Sequence, residues 1–83
     1  MLRISLEALQ IIDAIDRQGS FSGAGKELFK VPSTISYTVS KLEEDLGVQV
    51  FERLGPKVAL TEAGKELLIE GRYLLRAAGD LEC

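Results

Sequence analysis

The sequence predicts a mostly α-helical chain: a winged helix-turn-helix of three helices plus a β-hairpin, with a long fourth helix appended. Three observations carry this. Apolar residues recur at helical spacing in separate stretches that open on Ser, Thr or Pro, and two of these stretches close on Gly. The connection Leu28-Phe29-Lys30-Val31-Pro32 is tight enough to join two crossed helices. Two short strand-like runs then flank Leu54-Gly55-Pro56-Lys57, a turn sequence.

Taken in order, Ser5 is a good N-cap for the first helix, and Glu7 sits favourably in its first turn, at the positive end of the helix dipole. Leu6, Leu9, Ile12 and Ile15 recur at helical spacing, and Gly19 supplies a left-handed stop. Ser22 is placed to cap a second, shorter helix through Ala24 and Leu28. Gly23 and Gly25 are poor helix formers there; close helix approach and plain weak propensity explain them equally well. The third helix runs from about Pro32 to Leu46 and ends at Gly47. Proline suits a first turn because its missing N–H breaks no bond. Ile35, Val39, Leu42 and Leu46 form one narrow stripe to bury. The opposite face carries Ser33, Tyr37, Ser40 and Glu44, with Thr34, Ser36 and Lys41 on its flanks.

Val48–Phe51 and Val58–Leu60 read as the strands of the hairpin. Thr61 caps the fourth helix, Glu62 lies in its first turn, and no stop signal follows, which favours a chain that continues beyond Cys83. Leu67, Leu74 and Leu81 repeat at one spacing along it, with Leu68, Gly71, Leu75 and Ala78 in a second apolar row. So wide an apolar arc needs more than its own domain to cover it. The domains are therefore 1–60, a winged helix-turn-helix (helix-turn-helix about 21–40, wing about 48–60), and 61–83, the start of a linker helix.

Composition narrows the function. At 83 residues the chain is one domain or a fragment of a larger protein, and its core is thin. Cys83 is the single cysteine and histidine is absent, so neither an internal disulfide nor structural zinc is expected, and no metal site is proposed. Met1 to Ser5 lacks the basic and apolar regions of a signal peptide, and no apolar stretch could span a bilayer; a cytoplasmic location and no membrane partner are expected. Without histidine, paired carboxylates across a cleft or a phosphate-cradling glycine loop, no enzyme is expected. The net charge of −3 runs against nucleic-acid binding. Yet no acid occurs between Leu28 and Leu42, where Lys30 and Lys41 stand, and the acids crowd instead into Glu43-Glu44-Asp45 and the flanking helices.

The third helix could place its N-terminal half in a DNA major groove about 12 Å wide. That half offers Ser33, Thr34, Ser36 and Tyr37, and its first N–H groups suit a phosphate. The acidic far end would be repelled, which fixes the direction of insertion. Arg53 and Lys57 flank the hairpin turn, where a wing could reach phosphates or the minor groove.

Ser20-Phe21-Ser22-Gly23-Ala24 with Leu28, then Ile35-Ser36, Lys41–Arg53 (KLEEDLGVQVFER) and Leu60-Thr61-Glu62-Ala63-Gly64 resemble the N-terminal domain of LysR-type transcriptional regulators, in the family's order over essentially the whole chain. The resemblance implies a bacterial, nucleoid-associated regulator that binds an interrupted inverted repeat in promoter DNA. It implies no cofactor in this chain, and a small-molecule effector bound by a larger C-terminal domain that this sequence does not include. It also implies a homodimer through the 61–83 helix, involving Leu67, Leu74, Leu75, Ala78 and Leu81, and a tetramer in the full-length protein. By position it assigns DNA contacts to Pro32, Ser33, Thr34, Ser36 and Tyr37 on the recognition helix. Ser20 and Ser22 at the start of helix two, and Arg53 and Lys57 on the wing, complete that set; Lys41 joins it as a basic flank of the recognition helix.

This chain departs from the family at the helix start. Val31-Pro32-Ser33 stands where Ser-Gln-Pro is usual, Tyr37 where Arg is usual, and Gly55-Pro56 where the wing is commonly basic. Pro32 cannot make the bidentate adenine contact of Gln, and Val31 has no side-chain acceptor for an N-cap unless Ser33 takes that role. Readout by apolar and hydroxyl contacts and by DNA shape is expected instead. A winged helix used purely for protein interaction is the alternative that the acidic charge raises.

Overall fold

The computed structural model describes residues 5–82, with side chains placed through Gly79. Its elements run α1 (Leu6–Gln18), α2 (Phe21–Leu28), α3 (Pro32–Leu46), β1 (Phe51–Leu54), β2 (Lys57–Leu60) and α4 (Glu62–Glu82). This is the winged helix-turn-helix with an appended helix.

α1 is the centre of the domain, packing against α2, α3, α4 and β2. Its apolar residues make that possible: Ile11, Ile12, Ala14 and Ile15 are all essentially inaccessible to solvent. Ile35, Val39 and Leu42 from α3, Ala24 from α2, Val50 and Phe51 from the wing and Leu68 from α4 close the core around them. Leu46, the last member of the predicted α3 stripe, is instead exposed, because the helix ends beside it at Gly47.

The caps set the boundaries. Ser5 Oγ accepts from Ala8 N–H at 3.1 Å, and Gly19 ends α1 at φ 76°. The cap of α2 is Ser20, whose Oγ accepts from Gly23 N–H at 3.0 Å; Ser22, expected in that role, is an exposed residue inside the helix. Thr61 Oγ1 caps α4 through Gly64 N–H at 3.0 Å. α3 has no side-chain cap, so Ser33 does not substitute for Val31.

Gly25 is a site of close approach. A Cβ there would lie 2.6 Å from the Lys30 carbonyl oxygen, so the tight α2–α3 turn excludes any side chain. Gly64 serves the same purpose against the Val50 carbonyl, where α4 leaves the wing.

The hairpin is shifted from its expected place. β1 pairs antiparallel with β2 through Phe51↔Leu60 and Leu54↔Lys57, leaving Gly55-Pro56 as the turn. Val48 to Val50 form a connector rather than a strand. The Glu43 carboxylate accepts from Val50 N–H at 2.7 Å and Phe51 N–H at 3.3 Å, while Thr61 N–H donates to the Val50 carbonyl at 2.9 Å. Glu43 thus takes the Val50 N–H that a longer strand would have paired with Thr61. Glu43 is therefore an internal fastener of the wing, not a free charge at the end of α3.

Candidate nucleic-acid interface

α3 buries Ile35, Val39 and Leu42 against α1 and thereby turns the rest of its surface outward. Pro32, Ser33, Thr34, Tyr37 and Ser40 are exposed and Ser36 is half-buried, so the predicted reading face is available. Val31 enters the helix extended, at φ −71° and ψ 150°, and Thr34 and Ile35 N–H both point to its carbonyl. With no side-chain cap, Ser33 N–H is left to an external acceptor such as a phosphate oxygen.

The candidate residues fall on two sides of this helix. Tyr37 and Lys41 line a groove shared with Ser5, the cap of α1, and with Ala8. Ser40 lines a small cleft on the other side, with Phe21, Phe51 and Arg53. Ser22 and Pro32 share an open concave surface around the α2–α3 turn, which also holds Phe29, Lys30 and Val31.

Arg53 is held more firmly than its place on a hairpin suggests. Its guanidinium carbon lies 4.9 Å from the centroid of Phe21, which in turn packs edge-on against Phe51 at 6.0 Å. A cation over an aromatic face at this range is attracted by the ring quadrupole. The stack brings Arg53 against Phe21, the first residue of α2. The Ser20 hydroxyl accepts in the cap and keeps its proton for an outside acceptor. Lys57 pairs across from Leu54 at the exposed tip of the wing, and is not part of this cluster.

The two lysines of the acid-free segment are both engaged. Lys30 Nζ lies 3.1 Å from Glu7, and Lys41 Nζ lies 3.6 Å from Asp45 and 3.9 Å from Glu44. The surface of α3 is thus closer to neutral than the sequence suggested.

On α4, Leu68 is buried and Gly71 packs against Leu9, so the second apolar row is used largely within the domain. Leu67 also packs against the core; Leu74 is exposed, and Leu75 and Ala78 line a groove with Leu6 and Gln10. Ile69 and Tyr73, not anticipated as surface residues, are about two-thirds exposed at 69% and 67%. Leu81 lies outside the residues whose side chains are described.

A model of bacterial regulatory helix-turn-helix proteins of the lysR family matches residues 6–65. The chain belongs to the LysR family. It is 53% identical over 78 residues to the probable HTH-type transcriptional regulator YhaJ of Escherichia coli, covering 94% of this chain and 26% of that protein. Among solved structures, the CbnR DBD–DNA complex superposes with a TM-score of 0.89 at 30% identity, covering 95% of this chain and 91% of that one. The BenM DBD/benA site 1 DNA complex does so at 0.88 and 27%, covering 94% and 91%. The LysR chain described here spans about a quarter of the length of the curated relatives it matches. Among its described residues no helix is long and apolar enough to cross a membrane.

Proposed function

We propose that this LysR-family domain binds double-stranded promoter DNA sequence-specifically, as the DNA-reading part of a transcriptional regulator. α3 enters the major groove by its N-terminal half. Ser20, Ser22 and Arg53 grip phosphates on the side of α2, and Lys57 reaches the backbone or minor groove at the wing tip. The observation that carries this reading is the exposed, acid-free first half of α3 on a scaffold that matches a domain solved with DNA at a TM-score of 0.89.

A salt titration on a duplex selected from random DNA tests it. Binding through about four to eight phosphates per dimer should fall with salt at a log–log slope near −0.9 for each phosphate neutralised. A chain that fails to bind any duplex at low salt would be better read as a protein-interaction module.

The domain acts as a homodimer through 61–83, and the exposure of Ile69, Tyr73 and Leu74 on α4 supports this. Single exposed apolar residues are ordinary; Ile69 and Tyr73, one turn apart on α4, form an apolar strip that a second copy would cover. Sedimentation at high concentration should show a dimer, and monomer alone would count against it. In a longer chain, a tetramer and a small-molecule effector held outside this domain complete the reading.

A further inference from the structure

We infer that Val31 and Pro32 read the C5-methyl groups of thymine in the major groove, so that this domain selects its site partly by hydrocarbon contact. The inference rests on the DNA-binding reading above and names the feature of DNA that this end of α3 recognises.

Guanine is read by Arg or Lys, adenine by Asn or Gln, and cytosine by Glu or Asp, because those side chains match the donors and acceptors on each base edge. Residues 31–40, Val-Pro-Ser-Thr-Ile-Ser-Tyr-Thr-Val-Ser, contain none of the six. Ile35 and Val39 are in the core and are unavailable. What remains on the outward face is hydroxyls, which accept several bases, and hydrocarbon, whose one distinctive partner in the major groove is the thymine methyl.

The structure then presents that hydrocarbon. Val31 is 59% exposed although it is β-branched and apolar, and Pro32 beside it is also exposed. Val31 occupies the N-cap position, but its side chain makes no capping hydrogen bond and does not join the core cluster. Its extended backbone is continuous with the first turn of α3, where Ser33 and Thr34 are exposed. A helix that enters the groove N-terminus first brings Val31 and Pro32 in with those hydroxyls.

The test replaces each thymine of a selected duplex, one at a time, by deoxyuridine, which keeps the base-pairing edge and lacks the methyl group. Covering one methyl is worth about fourfold in affinity. At one or more thymines in each half-site the replacement should weaken binding by about that factor. Val31→Ala or Pro32→Ala should bind the thymine and deoxyuridine duplexes equally at the affected position, while still discriminating at others. Neutral replacement at every thymine, on a duplex the chain does bind, overturns this inference and leaves DNA binding intact. A deoxyuridine penalty that persists unchanged in both variants overturns the assignment to these residues. No binding to any duplex overturns the underlying reading as well.

Discussion

Asp13 Oδ1 accepts from Arg72 Nε at 2.7 Å, tying α4 to the central helix α1. The other oxygen of Asp13 accepts from Arg17 Nε at 2.9 Å, and Arg17 extends its guanidinium to Glu27 on α2. Arg72 also donates to Asp16 at 3.0 Å. One chain of ionic hydrogen bonds thus runs from the helix proposed to dimerise, through the core helix, to the first helix of the helix-turn-helix. It ties α4 to α1 and, through α1, to α2.

Arg72→Met keeps most of the aliphatic stem and removes the charge. Both partners are partly solvated, with side-chain exposures of 44% and 19%, so the loss should be modest, about 1 kcal/mol or less at low salt. Urea unfolding followed by circular dichroism should show it, and the difference should shrink in about 1 M salt.

Glu27 gives the network a pH signature. Hydrogen bonds from Arg17, and then from Gln18, hold its carboxyl down at about 2 against an ordinary 4.5. A depressed folded value means that the native state binds its proton later than the unfolded chain. The stabilisation is therefore complete above about 4.5 and is lost as pH falls toward about 2. Glu27→Gln should flatten the stability profile across that window. An unchanged acid limb would show that the pair contributes nothing in solution.

Much of this was legible in the sequence because helix ends are locally encoded. Ser5, Gly19, Pro32, Gly47 and Thr61 mark helix starts and stops by their own backbone and side-chain chemistry, and each was placed correctly. The start of α2 is the exception: Ser22 is expected as its cap, but Ser20, two residues earlier, holds that place. The hairpin slipped because Val48 and Val50 look like strand, while their neighbourhood is organised by Glu43 and Thr61, distant in sequence. The exposed surface of α4 likewise depends on contacts distant in sequence. Leu68 and Gly71 are claimed by α1, and Ile69 and Tyr73 remain outside. Nothing local announces the stack of Arg53 on Phe21, which joins the wing to α2.

Two alanine substitutions at glycine should have opposite signs. Gly25→Ala would force a Cβ against the Lys30 carbonyl, a backbone atom that cannot rotate away, at a cost of about 1–3 kcal/mol. Gly79→Ala, in α4, meets nothing within 4 Å and should stabilise by about 0.5–1 kcal/mol through helix propensity. Thermal melts of the two variants check both signs.

Base-reading and phosphate-gripping residues should separate in binding assays. Ser33→Ala or Tyr37→Ala should cost roughly 1–3 kcal/mol on the selected duplex and relax its sequence preference. Arg53→Ala should weaken binding to selected and random duplexes alike and flatten the salt slope by about one phosphate. Equal losses on both duplexes for Tyr37→Ala would move it from the reading face to the flank it shares with α1.

Which surface meets DNA is measured most directly by titrating the isotopically labelled chain with a selected duplex and following each backbone amide by NMR. The largest shifts should fall on Ser20 to Gly23, Val31 and Ser33 to Tyr37, and Arg53 to Lys57, the N-terminal turn of α2, the start of α3 and the wing. Shifts concentrated on α4 or on the outer face of α1, with the start of α3 unmoved, would contradict insertion of this helix in the groove.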